Sequence, residues 1–184
     1  MSPTVRLADP DRDAEAVAEI YRPAVEDSHA SFEATAPTPD EMAERIRSTL
    51  SHTPWLVAVV DGSVAGYAYA TAHRVREAYR WSVDISVYVD GSVRGRGVGR
   101  GLYDRLLPIL RRQGYVNVYA GIALPNPASE ALHRAIGMRL IGVYEGVGHK
   151  HGRWWDVAWY GMRIAEPSGT PAEPIPLPQL AEPL

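Results

Sequence analysis

The residues able to do chemistry crowd into one stretch, Trp81 to Gly101, WSVDISVYVDGSVRGRGVGRG. Its first half alternates. Trp81, Val83, Ile85, Val87 and Val89 fall on one side and Ser82, Asp84, Ser86 and Tyr88 on the other, which is the period of a strand. Aspartate is depleted from strands, so something other than propensity places Asp84 there. The second half is a turn, Arg94-Gly95-Arg96-Gly97-Val98-Gly99-Arg100-Gly101. Glycines allow positive φ and close approach of backbone to a ligand. Amides at a helix start carry positive partial charge and cradle phosphate. Arg94, Arg96 and Arg100 add full charges around them. Two common phosphate patterns are absent. The spacing G-x-G-x-x-G fails at Arg100 counted from Gly95 and at Leu102 counted from Gly97, and no Lys-Ser/Thr pair follows for a P-loop. The competing reading is a solvated basic turn whose glycines serve tight packing.

These residues need a scaffold, and the flanking chain supplies one. Thr4 to Ala8 is a short strand. Ala14, Val17, Ala18, Ile20 and Tyr21 recur at helical spacing up to Pro23, which ends or bends that helix. Thr38-Pro39-Asp40-Glu41 is a helix start with a capping box, and Met42, Ile46 and Leu50 give its apolar side. Trp55 to Val60 and Ser63 to Ala72 are strands joined at Asp61-Gly62, a hairpin signal. A basic loop, His73 to Arg80, feeds the central strand. Leu102, Leu106, Ile109 and Leu110 stripe the helix after the glycine turn, and Gly114 closes it. Pro108 predicts a kink or an early end there. Tyr115 to Ala123 is a strand. Asn126 caps a helix that stops at Gly137. Met138 to Tyr144 and Trp154 to Met162 are the last strands. From residue 165 the chain is proline-rich and aperiodic, which predicts an extended, poorly ordered tail over 165–184. The element order predicts one domain over 1–164, of α/β (α+β) class, with helices on the faces of one sheet.

Composition sets limits. The 184 residues suffice for one domain with a core, and the net charge of −3 gives no bulk attraction to nucleic acid. No apolar run approaches a membrane span, so a soluble cytoplasmic protein is expected. There is no cysteine, which excludes disulfides, thiolate metal sites and a covalent cysteine intermediate. The six histidines form no ligand-spaced cluster beyond His149 and His151, so no metal is expected.

Arg94-x-x-Gly97-x-Gly99 after a strand resembles the pyrophosphate loop of the GNAT N-acetyltransferase superfamily. Further stretches are similar to the phosphinothricin N-acetyltransferases in particular. They include Ser31-Phe32-Glu33, Pro54-Trp55-Leu56-Val57-Ala58, Ala78-Tyr79-Arg80-Trp81, Leu124-Pro125-Asn126, Leu132-His133 and Lys150-His151-Gly152 with Trp155-Asp156-Val157. The resemblance implies an acyl-CoA N-acyltransferase fold with a mixed, mostly antiparallel sheet of about seven strands. It implies acetyl-CoA as co-substrate along Val87, Tyr88 and Val89, with its pyrophosphate over Arg94, Gly95, Arg96, Gly97, Val98, Gly99 and Arg100. Asn126 and Ser129 are implied beside its pantetheine or adenosine. The family carboxylate falls at Asp84, where many members have Glu, so a water relay is expected. His133 stands where the superfamily often has a tyrosine that protonates the leaving thiolate. A small-molecule amine substrate and a homodimer are also implied.

The implied reaction is attack of an amine on a thioester. Near neutral pH the amine is mostly ammonium, so a base is needed, and Asp84 suits the role if it lines a cleft. The alternative is a buried carboxylate that is merely paired. His133 reads equally as a general acid or as a packed helix histidine contacting Ser129. Arg74 and Arg76, with Tyr79, Phe32, Lys150 and His151, are the candidates to hold an amino acid with a second anionic or tetrahedral oxo group. The alternative there is an ordinary charged loop. A polyamine, aminoglycoside or protein N-terminus as acceptor, and a non-catalytic acyl-CoA sensor, are the competing functions.

Overall fold

The period-two stretches form a single sheet in the computed structural model, which describes residues 3–166, 169 and 171–181. Among these residues the strands are β1 (Thr4–Leu7), β2 (Trp55–Val60), β3 (Ser63–Ala72), β4 (Ser82–Val89), β5 (Asn117–Ala123), β6 (Arg139–Lys150) and β7 (Arg153–Arg163). The helices are α1 (Pro10–Glu26), α2 (Pro39–Leu50), α3 (Val98–Gln113) and α4 (Pro127–Ala135). The sheet order is β1-β2-β3-β4-β5-β7-β6. Every pairing is antiparallel except β4 with β5. The expected mixed, mostly antiparallel seven-stranded sheet is therefore present.

Local signals explain most boundaries. Thr38 and Glu41 close the capping box of α2, Asp9 caps α1 and Asn126 caps α4. Asp61 and Gly62 both adopt positive φ, as a type I′ hairpin requires. Pro108 does not end α3, which runs on to Gln113. Leu102, Leu106, Ile109 and Leu110 are all buried. Each such burial contributes about 1.5–3 kcal/mol, so together they outweigh the lost hydrogen bond. β6 runs past the expected end at Tyr144 to Lys150, across a register shift between Tyr144 and Gly148. Beyond Tyr144, Asp156 accepts from the Gly146 amide and holds this part of the strand to β7.

Two apolar layers sandwich the sheet. Val83, Ile85 and Val118 meet α3 on one face. Val17, Met42 and Ile46 from α1 and α2 meet Trp55, Val57 and Tyr67 on the other.

The tail departs from expectation. Its described part docks instead of standing free. Ile175 donates to the Gln113 carbonyl and Leu177 to that of His52, and Leu177 is buried. Gln113 is fully buried and its Nε2 donates to both His52 and Ile175 carbonyls. Proline segments have few internal hydrogen bonds to satisfy, so a few outside partners suffice to seat one. Gln113→Ala should cost about 1–3 kcal/mol in urea unfolding and make the segment after residue 166 the first site of limited proteolysis.

Candidate active site

The sheet opens beside Asp84. The β4–β5 ladder covers only Ser82–Asp84 against Asn117–Tyr119. Beyond it β5 continues along β7 and β4 along β3. His73 donates to the Ser82 carbonyl at one end of the β3–β4 ladder, and Asp90 to that of Ala65 at the other. In an antiparallel ladder alternate residues bond the same neighbour. Ser82, Asp84, Ser86 and Tyr88 therefore bond β3, and Ile85, Val87 and Val89 turn their backbone groups into the opening. That edge is a row of donors and acceptors suited to the amides of an extended ligand.

The glycine turn stands at the end of that edge. Gly95 and Gly97 have φ of 77° and 80°, and Gly97 is the N-cap of α3 with no side-chain cap. The first helical bond within α3 runs from Gly101 to the Gly97 carbonyl. The amides of Val98, Gly99 and Arg100 are thus left for an outside acceptor. A Cβ on Gly99 would lie 2.9 Å from Leu132, 3.6 Å from Val89 and 3.7 Å from Val87. Glycine there lets α3, α4 and the open edge converge.

Two members of the expected CoA set turn elsewhere. The Arg100 guanidinium bonds Asp104 and the Ala135 carbonyl, leaving its backbone amide as its contribution. Tyr88 turns its backbone to β3 and its ring to Tyr21 and Tyr67, at 4.8 and 5.3 Å. Arg94 and Arg96 lie on the exposed turn and make no ion pair among the described residues. Asn126 spends its side chain on the Ser129 amide, at the α4 end facing the opening.

Asp84 faces the opposite side of β4, with Ser86, and with Thr71 across β3. The sequence reading passed over its partner. His73 Nδ1 lies 2.6 Å from Asp84 Oδ1. Burial pushes the Asp84 carboxyl above its ordinary range, against the opposing pull of the His73 hydrogen bond and the Arg74 charge. A raised carboxylate is a stronger base near neutral pH. Tyr119, Tyr79 and Trp159 wall the His73 ring at 4.5, 5.9 and 6.0 Å. Arg74 lies over Trp159, 5.6 Å from the ring centroid. The buried Trp159 Nε1 has no hydrogen-bond partner among the described residues. A cleft of about 470 Å³ under α2, lined by Arg45, Trp55 and Tyr69, reaches Thr71 beside Asp84. That volume falls in the range of small-molecule sites.

The other substrate candidates divide. Tyr79 belongs to the His73 cluster. Arg76 is exposed and makes no ion pair among the described residues. Phe32 packs its ring where a Gly148 side chain would stand, and His29 beside it stacks on Trp155 at 3.9 Å. Lys150 is not free to bind substrate. Its Nζ donates to the Val25 and Ser31 carbonyls, clamping the 25–32 segment to the β6–β7 hairpin. His151 takes φ of 50° in the exposed hairpin turn. Lys150→Met should therefore raise the amine KM several-fold by loosening Phe32, with the CoA Kd unchanged in calorimetry.

His133 does not fit a general acid. It is 3 % exposed. Nδ1 lies 2.7 Å from the Ser129 carbonyl, so Nδ1 carries the proton and donates. Nε2 then accepts from the Tyr103 hydroxyl at 3.0 Å. Burial holds the ring below its ordinary pKa, against the Ser129 hydrogen bond. Both nitrogens are engaged and no proton is left to give.

A family model, the acetyltransferase (GNAT) domain, matches residues 7–159. The chain belongs to the GNAT acetyltransferase family. Like other GNAT acetyltransferases it is an acyltransferase, with acetyl-CoA as its co-substrate. It is 37% identical over 163 residues to a phosphinothricin N-acetyltransferase of Streptomyces viridochromogenes, covering 89% of this chain and 88% of that protein. It is 35% identical to an L-methionine sulfoximine/L-methionine sulfone acetyltransferase of Salmonella typhimurium, covering 89% of this chain and 95% of the relative. A GNAT phosphinothricin acetyltransferase from Sinorhizobium meliloti, solved with acetyl-CoA, superposes with a TM-score of 0.89 at 37% identity over 98% of each chain. Among the described residues no helix is long and apolar enough to cross a membrane, and no group of three or more His, Cys, Asp or Glu is placed to hold a metal.

Proposed function

We propose that this GNAT acetyltransferase moves acetyl from acetyl-CoA to the α-amine of a small amino acid carrying a second tetrahedral oxo group. Phosphinothricin, methionine sulfone and methionine sulfoximine are such amino acids, and the printed activities of the relatives support the class. The observation that carries the reading is the position of Asp84. Its carboxyl lies beside Arg74 and the aromatic walls, on the strand whose far edge opens at Val87 and Val89. Arg74, held over the Trp159 ring, is a donor for oxo groups. Asp84 promotes removal of the ammonium proton, taking it directly or acting through a neighbouring group. A backbone amide at Val87 or Val89 stabilises the oxyanion. With no cysteine in the chain the amine attacks the thioester directly in a ternary complex. The leaving thiol has an ordinary pKa of about 8.5 and needs no dedicated acid.

The basic loop His73 to Arg80, with Arg74, Arg76 and Arg80, disfavours a polyamine. Acetylating phosphinothricin makes the protein a herbicide-resistance determinant, working in the cytoplasm without nucleic acid or membrane. We assign the homodimer interface to β6, an edge strand with Leu140, Ile141, Val143 and Val147 exposed.

The test is CoA-thiol release from acetyl-CoA with phosphinothricin, methionine sulfone, methionine sulfoximine, a polyamine and a peptide N-terminus. Turnover on the first three supports the reading. Turnover confined to the polyamine or the peptide overturns it. Acetyl-CoA binding with no turnover on any amine would favour a sensor.

A further inference from the structure

We infer that His73 is the proton acceptor of this site, with Asp84 as the group that orients it. The inference rests on the amine site proposed above and names the atom that takes the proton.

Asp84 Oδ1 sits 2.6 Å from His73 Nδ1. A carboxylate only accepts, so this contact places the imidazole proton on Nδ1. The Nε2 lone pair is then left as an acceptor, and Nε2 has no hydrogen-bond partner among the described residues. His133 shows the opposite arrangement, with both nitrogens spent. The sheet puts His73 on the Asp84 face, where the amine site is proposed. His73 continues the alternation of Tyr69 and Thr71, on the face of β4 that carries Asp84 and Ser86. Its side chain keeps 14 % exposure, against 25 % for Asp84. The groups packed around the ring are Asp84 from β4, Tyr119 from β5, Trp159 from β7, and Tyr79 and Arg74 from its own loop. Only Asp84 among them offers a carboxylate. Aspartate is one methylene shorter than glutamate, and a histidine on its carboxylate extends its reach where a water would otherwise be needed.

The step balances. The substrate ammonium passes one proton to Nε2 and becomes the free amine, whose nitrogen attacks the thioester carbonyl. As the C–S bond breaks, the nitrogen loses its second proton and the sulfur leaves as thiol. The imidazolium returns its proton to solvent. Asp84 stays ionised throughout and stabilises the imidazolium.

The test compares His73→Gln, His73→Phe, Asp84→Asn and the His73→Gln/Asp84→Asn double variant in pH profiles of kcat/KM for the amine, with CoA Kd as the control of folding. His73→Gln should lose about 10²–10⁴-fold in kcat/KM, keep its CoA Kd, and lose the acidic limb of the profile. The double variant should be no worse than the worse single, because the two act as one unit. His73→Phe keeps the ring packing against Tyr119 and should lose the same activity; a purely structural His73 would be rescued by it. Retention of the acidic limb in His73→Gln, or multiplied losses in the double variant, overturns the inference. Nitrogen NMR of the unmodified protein gives a readout that needs no variant. Nδ1–H on His73 supports the dyad, and Nε2–H overturns it. If the wild type acetylates a different amine, the proposed substrate class fails, and the same variants read with that amine still decide the role of His73.

Discussion

Asp84→Asn is expected to cost the enzyme about 10²–10⁴-fold in kcat/KM while making the fold more resistant to heat at neutral pH. Both effects come from one placement. Burial raises the Asp84 carboxyl above its ordinary pKa in the folded chain. A group whose folded pKa is raised contributes its full stability below the unfolded value, about 3.9. That contribution is lost as pH rises through the folded value. At neutral pH the folded protein therefore carries a charge it would hold more cheaply unfolded. Asn removes the charge and keeps an oxygen for the His73 Nδ1–H. The thermal midpoint of the variant should exceed that of the wild type at pH 7, and the gap should close toward pH 4. A variant less stable than wild type at pH 7, with the same slope against pH, would mean that Asp84 is a structural ion-pair partner.

The second large effect is on stability. His133→Ala should lower the unfolding free energy by about 2–4 kcal/mol, through a cavity and two lost buried hydrogen bonds. The partners left behind are the Tyr103 hydroxyl and the Ser129 carbonyl. Below the melting range, kcat should fall by far less than the about 10²–10⁴-fold that loss of acid catalysis brings. The pH dependence supplies a second check. Burial depresses the His133 pKa, so its neutral ring supports the fold fully above the ordinary value of about 6.5. That support is lost as pH falls through the depressed value. The variant should lack this segment of the acid sensitivity. A large loss of kcat in a variant as stable as wild type would restore the acid role.

How much of this is legible in the sequence depends on the range of the forces. Local rules read correctly. The capping box at Thr38 and Glu41, the Asp61-Gly62 hairpin and the αL glycine after α3 are all where short-range chemistry puts them. The alternation of Trp81 to Val89 correctly separates the face that carries Asp84 from the one that carries Ile85 and Val87. What fails is what tertiary packing decides. Pro108 is carried through by buried leucines. The tail is seated by Gln113, a polar residue that no pattern marks as a clamp. Lys150 reads as a pocket cation and is taken by two backbone carbonyls. His73 was hidden inside a basic loop, because its value depends on a register: only when β3 pairs with β4 does it meet Asp84. A histidine one residue past a strand, in phase with its polar face, was the available signal.

The central claim is that amine and thioester meet across β4, between the Asp84 face and the open Val87–Val89 edge. A crystal structure of the protein with CoA and methionine sulfone tests it most directly. The account predicts pantetheine amides paired with the Val87 and Val89 backbone, pyrophosphate on the Val98 and Gly99 amides, and the α-amine within hydrogen-bond reach of the His73–Asp84 pair. An amine seated away from Asp84, with the pair walled off from it, would contradict the account.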